Sequence, residues 1–308
     1  MTVVTRLLPI ALLLALMTPV PAQAAGRLTL RDAGPVGALV RGDGQRYIAT
    51  ARATRPAPVK ILDTVTGAWS AVASPQGCSF ADAHRGTLLW ECDAPDAFES
   101  GQTYDLATGS RSELAAPAHD LASWDASRYE AIGDRWARVR FFGYHATAVA
   151  WVERSTGRLV SQDPGEAFVL DLDRAALLQP LCSGIRRSTV PDTTGLGVVI
   201  ADDLARAGPW AATTSYADEE NPPGVIELQH CGRAPRTLRV CRRFQCSQPV
   251  ITTRFVAWTE TTTHGKLVVR SLSTGRIRTA SRSTPLAPLL VGRRLYVKAG
   301  GRLLRVAT

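Results

Sequence analysis

The run Val269-Arg270-Ser271-Leu272-Ser273-Thr274-Gly275 closes on a Thr-Gly pair that returns at Val65-Thr66-Gly67, Ala107-Thr108-Gly109 and Ser155-Thr156-Gly157. Each copy lies between two strand-like runs, so each marks the same β-hairpin. The first two turn glycines stand 42 residues apart and the next two 48 (67 to 109, 109 to 157). That period belongs to β-propellers, whose four-stranded blades bury their faces only against neighbouring blades.

Working outward, the first blade takes Tyr47 to Ala51, Val59 to Leu62 and Trp69 to Val72; the second runs from Cys78 through Leu88-Leu89-Trp90 and Gln102 to Leu106, closing with Ser110 to Leu114. The third carries Trp136 to Phe142, Ala146 to Val152 and Arg158 to Ser161. From Gly157 to the next hairpin glycine, Gly232, the rhythm fails. One reading is a single blade (Val198 to Ile200, Trp210 to Ser215, Val225 to His230, Thr237 to Val240) preceded by an irregular insertion at about 168–197. The other adds a seventh blade turning at Thr194-Gly195. Pro191 makes the preceding segment a poor central strand and favours the insertion. Phe255 to Thr259, Leu267 to Leu272 and Arg276 to Ala280 form the next blade. Leu289 to Val291, Leu295 to Lys298 and Leu303 to Val306 then lack a fourth strand, which Arg27 to Arg31 would supply. The expected fold is therefore an all-β, six-bladed propeller closed by an N-terminal strand joining the C-terminal blade, with seven blades as the alternative.

Phrases such as Tyr104-Asp105-Leu106-Ala107-Thr108-Gly109 resemble the inner repeats of TolB-like and WD40-like propellers. The likeness lies in the manner of repetition and not in a full motif, since Trp124-Asp125 occurs once and out of register. It implies a ring-shaped scaffold for protein or ligand contact in exported proteins, and transfers no active site.

Residues 1–25 read as a signal peptide: Arg6, the apolar run Leu7 to Met17 and the small-x-small Ala22-Gln23-Ala24. The run is shorter than the roughly 20 residues that span a bilayer, so no transmembrane segment is expected after cleavage. Residues 26–308 would be one domain, secreted or held at the cell envelope, with monomer as the expected state. Arginine supplies nearly all of the 36 basic residues, and the net charge of +9 falls to +8 without the leader, which removes one arginine and no acid. Such a surface could attract anionic envelope polymers, although GC-rich coding also enriches arginine. No basic run with interleaved aromatics suggests nucleic acid.

Six cysteines in an oxidising compartment read as disulfides: Cys78 with Cys92 inside one blade, then Cys182 with Cys231 and Cys241 with Cys246 as the preferred pairing of three available. Chemistry is mostly absent from the sequence. There is no Gly-x-Ser-x-Gly elbow, no His-Glu-x-x-His and no phosphate-cradling loop. His84, His119, His145, His230 and His264 are dispersed. The acidic candidates are Asp171 and Asp173, on one face of a strand, with Asp202 and Asp203. They could hold calcium, the one cofactor considered, or supply a paired acid and base. Asp218-Glu219-Glu220 reads as a loop tip. Trp90, Trp136, Trp151, Trp210 and Trp258 recur about once per blade and are expected to pack between blades, or to line a channel where a glycan or apolar ligand stacks. The expected function is a non-catalytic protein- or ligand-interaction module; the alternative is a propeller-type hydrolase or lyase using the acidic residues.

Overall fold

The computed structural model describes residues 26–52, 57–93, 100–115, 125–134, 136–143, 147–158, 204–216, 224–230, 233–234, 236–241, 246–247, 249–261 and 264–307. Among them every regular element is a strand, and the strands fall into six sheets. No described helix is long and apolar enough to cross a membrane.

Two short strands open the chain, β1 (Gly26–Arg27) and β2 (Thr29–Pro35). The first sheet is then β3 (Leu39–Gly42), β4 (Tyr47–Ala51), β5 (Val59–Asp63) and β6 (Trp69–Val72); the second is β7 (Cys78–His84), β8 (Thr87–Cys92), β9 (Ser100–Asp105) and β10 (Arg111–Glu113). The third holds β11 (Ala126–Ile132), β12 (Trp136–Phe142) and β13 (Thr147–Glu153), and the fourth β14 (Leu204–Ala207), β15 (Trp210–Tyr216), β16 (Gly224–His230) and β17 (Arg236–Cys241). The fifth is β18 (Val250–Ile251), β19 (Phe255–Thr261), β20 (Gly265–Ser271) and β21 (Ile277–Arg282), and the sixth begins with β22 (Leu286–Val291), β23 (Arg294–Ala299) and β24 (Arg302–Ala307). Leading strands of neighbouring sheets touch: β22 with β3, β3 with β7, β7 with β11, β14 with β18 and β18 with β22. This is the radial packing of a propeller.

Strand alternation explains how the sheets stack. In β8, Leu88 and Trp90 face the first sheet and join Ala49, Val59 and Ile61, while Leu89 points the other way into the core shared with Val139 and Phe141 of the third. Ile48 and Leu62 likewise meet Val291, Tyr296 and Leu303 of the sixth sheet. Each fully buried aliphatic side chain contributes about 1.5–3 kcal/mol, so each sheet is stable only between partners. The tryptophans follow the packing expectation: Trp90, Trp136 and Trp258 are buried, and Trp210 packs partly buried against the core of the fourth and fifth sheets. Trp151 falls in β13, its side chain outside the described set.

The N-terminal strand needs a correction. The expected strand Arg27 to Arg31 is split: β1 pairs in parallel with β21 of the fifth sheet, whereas β2 pairs antiparallel with β24 of the sixth. Leu28, between them, donates its N–H to Thr279 O at 2.9 Å and buries its side chain in the core shared by these two sheets. The crossing is what that burial requires. A bulge between Asp32 and Gly34 follows, with φ +126° at Gly34, and Trp69 of the first sheet donates its indole N–H to Ala33 O at 3.0 Å. The N-terminal strand therefore contacts the first, fifth and sixth sheets.

A second correction concerns the fourth sheet, whose leading strand is Leu204–Ala207; Val198 to Ile200, expected there, lies outside the described residues, as do the insertion at 168–197, Thr194-Gly195 and residues 1–25. Cys78–Cys92 and Cys241–Cys246 are disulfide-bonded, the first between directly opposed residues of β7 and β8. Cys182 and Cys231 are outside the described residues.

Candidate functional site: the turn face

Each Thr-Gly pair lies in the turn that leaves the third strand of its sheet, and its chemistry extends beyond the phrase itself. Gly67, Gly109, Gly157 and Gly275 take φ of +77°, +72°, +73° and +68°, a region that costs other residues about 1–2 kcal/mol. Their N–H groups reach the carbonyls of Asp63, Asp105, Glu153 and Ser271 at 2.8, 2.8, 2.9 and 3.0 Å. The side chain of that same residue closes the turn. Asp63 accepts from Val65 N (2.8 Å), Asp105 from Ala107 N and Thr108 N (2.9 and 2.7 Å), Glu153 from the Thr156 hydroxyl (2.8 Å) and the Ser271 hydroxyl from Thr274 N (3.2 Å). Each threonine hydroxyl in turn accepts the N–H of the residue after glycine at 3.2–3.3 Å. The motif is a small turn-capping unit, and Arg46, bidentate on Asp63, holds that carboxyl well below the usual carboxylate range.

The same side of the sheets carries the turns between first and second strands, and the two sets are bonded. Thr64, Leu106 and Leu272 donate their N–H groups to the carbonyls of Arg46, Gly86 and Arg254 at 2.9, 2.8 and 2.9 Å. Sheet is tied to sheet here too. Gly292 N–H meets Gly44 O (3.0 Å), Arg85 N–H meets Asp43 O (2.8 Å), and His84 and Arg85 both pair with Asp134 of the third sheet. Asp43 is 1% exposed; its Oδ1 accepts from Gln45, Arg46 and Tyr47 and its Oδ2 from Gly86.

Asp82, on β7 just past a bulge, accepts Ile132 N–H of the third sheet at 3.0 Å and faces the Arg41 guanidinium at 3.8 Å and His84. Burial pushes its carboxyl pKa up. A raised folded-state pKa means the group supports the fold fully below the unfolded value, near 4, and loses that support as pH rises through the folded value. Asp82→Asn, which keeps an acceptor for Ile132, is therefore expected to gain stability relative to the parent more at pH 7 than at pH 4, by urea midpoints. A gain equal at both pH values would remove burial of the charge as the cause.

The carboxylates of this face are thus engaged within it: Asp43 and Asp105 by backbone N–H groups, Asp63 by Arg46, Asp134 by His84 and Arg85, and Glu153 by Thr156 and Arg158. Further arginines sit at its turns, Arg254 and Arg293 between first and second strands and Arg233, Arg236 and Arg276 at third-to-fourth connections, with Arg294 donating to the Thr64 hydroxyl. Among the described residues the face carries an excess of guanidinium groups.

The sequence-derived acidic candidates are not brought to this site: Asp171, Asp173, Asp202, Asp203 and the run Asp218-Glu219-Glu220 lie outside the described residues, as do His119 and His145. Among the described residues no group of three or more His, Cys, Asp or Glu is placed to hold a metal ion. His84 belongs to the inter-sheet network, and His230 meets Trp210 edge-on at 4.6 Å. The turn face was missed because its signal is topological: arginines dispersed in sequence converge only when hairpins of successive sheets point the same way.

No family model matches the chain, and no curated protein matches it. It is similar in fold to BamB from Moraxella catarrhalis (TM-score 0.38, 13% identity, 87% of this chain and 83% of that one). It is also similar to the β-propeller domain of the Trilobed protease from Pyrococcus furiosus (0.38, 9%, 92% and 82%) and to TolB from Acinetobacter baumannii (0.39, 12%, 87% and 65%). The resemblance to TolB-like and WD40-like propellers is one of architecture, and the all-β propeller arrangement stands on the six sheets and their radial packing.

Proposed function

We propose that the chain is an exported propeller of six blades, closed by β2 on the last, and that it serves as a monomeric, non-catalytic interaction module at the cell envelope or outside the cell, engaging its partner through the turn face. The observation that carries this reading is the imbalance of that face: its acids are held in turns and ion pairs while Arg254, Arg276 and Arg293 have no acid partner among the described residues. A surface of one sign steers an oppositely charged partner. The leader and the disulfides Cys78–Cys92 and Cys241–Cys246 support an oxidising location outside the cytoplasm.

The test is capture from native envelope extract by the full mature chain and by its Arg254→Gln/Arg293→Gln variant. Both substitutions sit in exposed turns, so the fold should survive, and the captured partner should be lost or held only weakly, with a shallower salt dependence than the parent shows. Undiminished capture by the variant would remove the turn face from the function.

A further inference from the structure

At the turn end of the junction between the fourth and fifth sheets, four side chains of suggestive chemistry share one groove. Trp210 and His230 are directly opposed on β15 and β16, with ring centroids 4.6 Å apart and planes at 78°. Arg236 is opposed to Leu228, two residues along β16 from His230, so it projects from the same side of the fourth sheet. That side faces the fifth sheet, because Leu228 and Trp210 pack with Val256, Trp258 and Ile277. From across the groove comes Arg270, whose strand partners are those same Val256 and Ile277.

Nothing described neutralises the two arginines. Glu260, on the same side of the fifth sheet, is already held by Arg239 at 3.0 Å and Lys266 at 3.4 Å. Arg270 is half-buried, and burial, with the charge of Arg236 beside it, lowers its pKa. Its guanidinium lies against the 271–275 turn, where a Cβ on Gly275 would stand 3.6 Å from Nη2. The indole N–H of Trp258, 2% exposed and in the same core, also has no hydrogen-bond partner among the described residues.

We propose that this groove binds an acidic sugar unit of an anionic glycan, its carboxylate taken by Arg236 and Arg270 and its ring laid against Trp210 and His230. The inference rests on the interaction reading above and gives its turn face a ligand. Guanidinium groups match carboxylate geometry with two parallel hydrogen bonds, and here two of them project from facing sheets. The partly buried indole of Trp210 beside them keeps some apolar surface that a sugar ring's C–H face can cover, the usual combination of aromatic wall and few polar groups in a binding cleft.

The experiment titrates the full mature chain with oligogalacturonate, a neutral oligosaccharide of equal length, inorganic phosphate and anionic lipid vesicles, read by tryptophan fluorescence and calorimetry. Oligogalacturonate should bind, weaken as salt rises and lose about ten- to hundredfold in affinity in Arg270→Gln and in Arg236→Gln. Arg270→Lys should fall between, since it keeps the charge and loses the paired geometry. Arg302→Gln, whose arginine pairs with Asp32 in the sixth sheet, should bind like the parent. Parental affinity in both groove variants would overturn the proposal. So would phosphate binding as tightly as the sugar acid with no effect of Trp210→Phe, which would mark a simple oxyanion site, or vesicle binding without oligogalacturonate binding. If oligogalacturonate fails while Arg254→Gln/Arg293→Gln still abolishes envelope capture, the groove assignment falls and the interaction reading stands. If the groove binds while that capture is unaffected, the reverse holds.

Discussion

Deletion of residues 26–35 is expected to abolish cooperative unfolding and to leave an aggregating chain. The segment does three jobs at once. Its strand Thr29–Pro35 covers the outer edge of β24 over the register Thr29↔Ala307 to Pro35↔Arg302, and an uncovered edge of that length is a template for pairing with other chains. Leu28 is 4% exposed in the core joining the fifth and sixth sheets, where truncation to alanine alone costs about 2–5 kcal/mol. Ala33 O receives the Trp69 indole N–H from the first sheet. A domain's whole stability is only about 5–15 kcal/mol, so losing all three contacts together exceeds what the rest can absorb. Circular dichroism melts with size-exclusion chromatography would read the result, with Leu28→Ala as a graded control of intermediate melting temperature. A deletion variant that melts cooperatively within a few degrees of the parent, as a monomer, would show that the sixth sheet does not depend on β2.

The sequence made the second, third and fourth strands legible far better than the first. Runs such as Tyr47 to Ala51, Leu88-Leu89-Trp90 and Leu267-Val268-Val269 are buried on both faces and read as largely apolar stretches. The leading strands are another matter. β3 is four residues with no fully buried side chain, β18 is two residues, and β11 carries Arg128, paired with Glu91 of the second sheet at 3.1 Å, and Glu130, paired with Arg138 and Arg140 of its own sheet. Short, as β3 and β18 are, or interrupted by charge, as β11 is, they show no hydrophobic period that announces them. The turn phrase was legible as Thr-Gly, but its side-chain acceptor four residues before the glycine was not, because Asp63, Asp105, Glu153 and Ser271 share an acceptor oxygen and no single residue type. The groove between the fourth and fifth sheets was invisible for a related reason. Trp210, His230, Arg236 and Arg270 acquire a common face only through strand pairing and sheet stacking.

Asp43→Ala is expected to cost about 3 kcal/mol or more, an effect on the scale of a core truncation from a residue that reads in sequence as an ordinary Asp-Gly turn. Its carboxylate serves four N–H groups: Oδ1 receives Gln45, Arg46 and Tyr47 at 2.9, 2.7 and 2.8 Å, and Oδ2 receives Gly86 of the second sheet at 2.9 Å. The first three shape a turn within one sheet, whereas the fourth joins two sheets, beside the backbone bond from Arg85 N–H to Asp43 O. Alanine strands these donors beneath a residue 1% exposed, where water restores few of the bonds, and a buried donor left unmet costs about 1–3 kcal/mol. Asp43→Asn separates the two roles. Its one amide oxygen can keep the cluster at Oδ1, but its NH2 group cannot accept from Gly86, so the variant should lose the inter-sheet bond alone, at about 1–2 kcal/mol. Urea midpoints should fall in the order parent, asparagine, alanine, and hydrogen exchange of the Gly86 amide should accelerate in both variants while that of Tyr47 accelerates only in alanine. If alanine unfolds within about 0.5 kcal/mol of the parent, within the range of an ordinary surface substitution, the turn is held by its backbone and the carboxylate is not the tie between the sheets. If asparagine falls as far as alanine, the negative charge rather than the number of acceptors holds the cluster, since a charged acceptor is roughly twice as strong as a neutral one.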